Sequence, residues 1–136
     1  MQIRDLDGNA YTWSLTGHMA YGTINKSELH LRARVLLNDL YPTLQILEEV
    51  TIPLKKGVTL YMDFYLPLKK MCVEVHGEQH YRFVSFYHGN MLNFINAKKR
   101  DREKEEWCEL NGIRYVSLPF DFTDLQWKEL ITNEQN

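Results

Sequence analysis

Leu29, Ala33, Leu36, Leu37 and Leu40 recur at the three-and-four spacing of one helical face, and Pro42 ends the run, which predicts a first helix over 27–41. Ahead of it, Asp7-Gly8 between short runs carrying Tyr11, Trp13 and Leu15 predicts a small hairpin over 3–15, and Gly17 and Gly22 mark a loop. Beyond the helix, 44–53 alternates as a strand does and Lys56-Gly57 turns the chain into a second strand over 60–66. A turn over 67–70 leads to a third strand, 71–76, which Gly77 ends. The stretch 81–93 has no clear period and is a candidate lid. A second long helix follows over 94–111, with Gly112 where a left-handed C-terminal residue is wanted. The pattern predicts a fourth strand over 113–118 and a last helix carrying Leu125, Trp127, Leu130 and Ile131. The order α, β, β, β, α, β predicts an α/β (α+β) domain, a central mixed sheet flanked by helices plus an N-terminal hairpin.

The 136 residues suit a single domain, divided into a hairpin extension (1–24), a core (27–119) and a tail (120–136). A formal charge of −2 argues against a basic coat protein that gains affinity by releasing counterions from many phosphates, so any nucleic-acid contact falls to local patches. Cys72 and Cys108 lack metal-ligand spacing, and neither a signal-like N-terminus nor a membrane-length apolar run is visible. These features lead us to expect an intracellular, cytoplasmic protein with no membrane partner.

Side chains alternate along a strand, so Glu74 and His76 point with Cys72 while Met71, Val73 and Val75 point the other way. A symmetric hairpin closed by 67–70 would set Asp63 opposite Glu74. Like charges facing each other in a sheet are destabilising, and the apolar run 60–66 has no structural need of an aspartate. A one-sided sheet would turn both carboxylates to solvent; a divalent cation such as Mg²⁺, with Mn²⁺ as substitute, would reconcile them inside. Such a cation serves phosphodiester hydrolysis, with His76 as a nearby base.

Asp63, Pro67 and the run Glu74-Val75-His76-Gly77 resemble the signature of the PD-(D/E)xK nucleases, with histidine in the lysine slot. The chain is similar to the branch that contains the very-short-patch mismatch-repair endonucleases and the phage homing endonucleases with an EDxHD motif. The likeness includes Glu28 at the head of the first helix, the loop His76-Gly77-Glu78-Gln79-His80, and Arg100-Asp101-Arg102 followed by 109–116. It implies a restriction-endonuclease-like αβββαβ core and a Mg²⁺-dependent DNA endonuclease. Asp63 would bind metal with Glu74 or the Val75 backbone carbonyl, and His80 and Asp101 would belong to the EDxHD set. The likeness also implies a phage or mobile-element origin, and hence a bacterial host cell.

Other residues carry competing readings. Glu28 gains from the helix dipole, with Asn25 as a capping-box-like partner, and only the resemblance draws it to the site. Glu48 shares its expected face with Leu44, Ile46, Val50 and Ile52, which points to a bulge or an edge more than to catalysis. A zinc site from His76, His80 and His88 has no thiol to support it. The helical segment 96–106 has a single apolar residue, Ala97; Asp101 shares that face with Lys104 and Cys108 and is aimed inward. Lys98, Lys99, Arg100, Arg102 and Lys104, with Gln79 from the loop, are then candidate DNA contacts that position the backbone. The residues leave open whether His76 or His80 is the base, and an RNA substrate or a catalytically inactive nucleic-acid-binding module remain alternatives. Specificity would come from the hairpin, the 81–93 loop, a homodimer or a separate partner.

Overall fold

The computed structural model describes residues 1–15, the backbone of 18–19, and 26–133. Gly17, Gly22 and Asn25, singled out above, lie outside the described residues. The chain opens with the hairpin β1 (Gln2–Arg4) and β2 (Ala10–Thr12), then β3 (His18–Met19). The predicted core order follows: α1 (Glu28–Leu40), β4 (Leu47–Lys55), β5 (Val58–Leu66), β6 (Met71–His76), α3 (Met91–Leu110) and β7 (Arg114–Pro119). A short α2 (Ser85–His88) precedes α3, and α4 (Asp124–Thr132) comes last. Strands β3 to β7 lie in chain order in one mixed sheet, antiparallel except for the parallel pair β6–β7.

Two apolar cores sandwich this sheet. On one face Trp107 and Cys108 of α3 pack with Tyr65, Met62 and Cys72, and the hairpin adds Ile3 and Trp13. On the other, Ala33 and Leu37 of α1 and Trp127 and Ile131 of α4 cover Phe64, Leu66, Met71, Val73 and Leu118. Burying Trp13 and Trp127 contributes a few kcal/mol each, about 1.5–3 by transfer, so hairpin and tail pack as part of the two cores. Trp13 also donates from Nε1 to the Thr51 carbonyl at 3.0 Å.

The helix ends differ from the sequence reading for identifiable reasons. Ser27 is the cap of α1, its side chain accepting from His30 N–H. The stretch 81–93 is partly helical: Asn90 caps α3 by accepting from Asn93 N–H, and the helix begins at Met91. Met91, Leu92 and Ile95 stay exposed, which is why their apolarity obscured the period. Strand β4 starts later than expected, at Leu47.

The face expected for Glu48 is corrected. Glu49 adopts a left-handed φ of 55°, which reverses the alternation. Ile46 stays on the α1 side while Val50, Ile52 and Leu54 join the α3 side. Glu48 is fully buried against α1, where His30 Nε2 lies 2.6 Å from Oε1 and Arg34 Nε 2.8 Å from Oε2. No helix among the described residues is long and apolar enough to cross a membrane.

Candidate active site

Residues Phe64, Tyr65 and Leu66 pair with Val73, Cys72 and Met71, bringing Asp63 and Glu74 side by side at the end of the ladder. There the two strands exchange side-chain bonds. Glu74 Oε2 accepts from Asp63 N–H at 2.5 Å, and Asp63 Oδ2 accepts from Val75 N–H at 3.0 Å. Burial, then the adjacent Glu74 carboxylate, raises the Asp63 pKa well above its ordinary value.

Lys104 of α3 answers part of this charge. Its ammonium pairs with Glu74 Oε1 and donates to the Tyr61 carbonyl at 2.6 Å. Burial alone would lower the Lys104 pKa, but Glu74, by charge and hydrogen bond, and then Asp63 outweigh it and hold it raised. Lys104, expected on a phosphate-contacting edge, thus points inward. The i+3 spacing from Asp101 placed both on one face, but nothing local in the chain named Glu74 as its partner. With both carboxylates ionised, one ammonium leaves one negative charge, which suits a cation.

Past β6, Gly77 leads into a 3-10 turn over Glu78–His80 that folds His80 back over His76. The two imidazoles stack at 4.3 Å and 2° between planes. His80 Nδ1 lies 2.9 Å from Asp101 Oδ2 on α3, and Lys98 donates to the His80 carbonyl at 2.8 Å, clamping the turn. Burial alone would raise Asp101, but the His80 hydrogen bond and charge outweigh it and hold the carboxyl below its ordinary value. His76, His80 and Asp101 offer one ligand atom each, all within 4.8 Å. Two imidazoles and a carboxylate suit a borderline metal such as Zn²⁺ or Mn²⁺, whereas the Asp63–Glu74 oxygens suit Mg²⁺. In the nitrogen-rich set, Asp101 takes the place given to His88 in the zinc reading.

Burial, reinforced by His80, lowers the His76 pKa from 6.5 to about 4, and the Tyr115 hydroxyl lies 3.3 Å from Nε2. A histidine depressed in the folded state favours folding fully above its unfolded value and loses that contribution as pH falls toward its folded value. The loss across pH 6.5 to 4 amounts to about 3 kcal/mol. Thermal melts should therefore fall more steeply in that window for the natural chain than for His76→Phe; parallel pH profiles would contradict this account.

The remaining candidates lie apart. Glu28 is exposed in the first turn of α1, on the opposite face of the sheet from α3, and no hydrogen bond or ion pair among the described residues joins it to Asp63, Glu74 or the histidines. Lys99, Arg100 and Arg102 are exposed along α3, Lys98 is half-buried, and Gln79 and Arg100 line a cavity beside His80. The sequence reading missed the inward role of Lys104, the Tyr115–His76 contact, and the buried His30–Glu48–Arg34 group.

No family model matches the chain, and no solved structure matches it. It is similar to viral proteins described only as uncharacterized. Protein 307L of Invertebrate iridescent virus 6 is 35% identical over 66 residues, 48% of this chain and 34% of that protein. Protein 033L of Invertebrate iridescent virus 3 is 34% identical over 64 residues, covering 47% and 33% of the two chains. Protein 094L of Frog virus 3 (isolate Goorha) is 31% identical over 71 residues, 52% of this chain and 46% of its own. The matched region thus spans between a third and just under half of these relatives.

Proposed function

We propose that the chain is a metal-dependent endonuclease that hydrolyses phosphodiester bonds in DNA, with Mg²⁺ or Mn²⁺ as its cofactor. The observation that carries this reading is that half-buried Asp63 and buried Glu74 lie near the hydrogen-bonded His80–Asp101 pair, with His76 in electrostatic reach of both Glu74 and Asp101. Asp63, with Glu74 or the Val75 carbonyl, would hold the cation. When bound, it would polarise the phosphoryl group and lower the pKa of an attacking water.

The chain's own groups supply the rest. Asp101 fixes the His80 tautomer by holding Nδ1, which leaves Nε2 to accept a proton from water. His76, neutral at pH 7 and stacked on His80, holds the plane of that ring. His80 is accordingly the better base. Lys104 orients Glu74 and keeps the carboxylate pair from carrying its full charge. Exposed Lys99, Arg100 and Arg102 lie along the same helix to meet phosphates, a positioning role.

The direct test incubates supercoiled plasmid, single-stranded circular DNA and RNA with the protein in Mg²⁺, Mn²⁺ or chelator, beside an Asp63→Ala control. Nicking that needs metal and disappears in the control is the expected result. Equal cleavage by both proteins, or none in any metal, would sink the reading. Binding without cutting, indifferent to chelator, would favour an inactive nucleic-acid-binding module.

A further inference from the structure

Beside the His80–Asp101 pair opens a cavity of about 280 Å³, walled by β5, the 3-10 turn, α2 and α3. Its floor is the reactive group itself: His80, Asp101 and Lys104 all line it. Tyr61 and Tyr87 stand at its sides, 58% and 65% exposed, so two aromatic rings beside a concave site are left open to solvent. Arg100 adds an exposed guanidinium.

His88 closes one wall of the cavity. It lines the same cavity, is 7% exposed, and packs against Phe83, Tyr87 and Phe94. Its Nδ1 is served by Val84, whose N–H lies at 3.0 Å and whose carbonyl lies at 3.2 Å. Its Nε2 is buried with no hydrogen-bond partner among the described residues. That atom is closed off from the cavity, so His88 serves as wall and the open lining groups are Tyr61, Gln79, Tyr87 and Arg100.

We propose that this cavity receives one unstacked nucleotide next to the bond to be cut, making single-stranded or locally unpaired DNA the preferred substrate; the inference rests on the nuclease reading above. A nucleotide matches the lining group by group. Its base offers a flat π-face to tyrosine and an edge of donors and acceptors to Gln79, and its phosphate suits Arg100. A base stacked inside a duplex presents no face to a tyrosine, so the occupant must have left the stack.

The experiment measures anisotropy of a labelled single strand and of its blunt duplex with the full chain carrying Asp63→Asn, which separates binding from cutting. The single strand should bind more tightly, and adding Tyr87→Ala should weaken single-strand binding by about tenfold while leaving the duplex unchanged. Tyr61→Ala, checked for folding by its melt, should act in the same direction. Equal affinity for both forms, equal loss on both, or binding to neither would overturn the proposal. Plasmid cutting without a single-strand preference would defeat the cavity and spare the nuclease reading. Tyr87-dependent single-strand binding by a chain that never cuts would do the reverse.

Discussion

Replacing Asp63 by asparagine is expected to abolish metal-dependent cleavage while raising the melting temperature of the metal-free protein at neutral pH. Both effects have one cause. The Asp63 carboxyl is pushed up by burial and by Glu74, so its negative charge opposes folding unless a cation sits beside it. A carboxyl raised in the folded state supports folding below its unfolded value, near 3.8, and that support is lost as pH rises through the folded value. Asparagine keeps an oxygen for the Val75 N–H and removes the charge. Its advantage should be greatest at neutral pH and fade on acidification. Removing a Lewis-acid ligand forfeits several kcal/mol of transition-state stabilisation, about 10³-fold in rate or more. Melts in chelator and in Mg²⁺ check the pairing: the cation should stabilise the natural chain and leave Asp63→Asn unmoved. A variant less stable than the natural chain in chelator at neutral pH would refute the account.

The second large effect is at Lys104. Methionine there keeps much of the length and loses the ammonium, leaving buried Glu74 and half-buried Asp63 with no counter-charge from α3. Breaking a buried pair from one side costs about 3–5 kcal/mol, because the surviving charge stays desolvated. The loss carries a pH signature. Lys104 partly offsets the rise of the Asp63 carboxyl, which takes up a proton more readily without it, so Lys104→Met should recover stability as pH falls, where the natural chain gains less. Adding Glu74→Gln should restore most of the loss. Denaturant melts of the four-member cycle measure the coupling. A single variant within about 1 kcal/mol of the natural chain would mean that the pair is effectively solvated.

Much of the domain is legible in the chain. The αβββαβ order follows from periodicity and punctuation, since Pro42, Gly77 and Gly112 act on the backbone next to them. Strand alternation likewise put Glu74 and His76 on one face with Cys72, and that face is the one α3 covers. Helical spacing turned Asp101 inward. These are local consequences of residue type, decided within a few positions.

What escaped such reading depends on elements meeting across long stretches of chain. The left-handed turn at Glu49 reverses the faces of β4, and no glycine marks it. Lys104 reads as one more cation in a charged helix until α3 is laid across β6 and delivers it to Glu74, thirty positions earlier in the chain. The His80–Asp101 bond likewise joins a loop to a helix. Residue pattern chooses which side of an element is buried; the partner it meets there is set by packing, because a buried charge settles only where the fold brings a complementary group within hydrogen-bond reach.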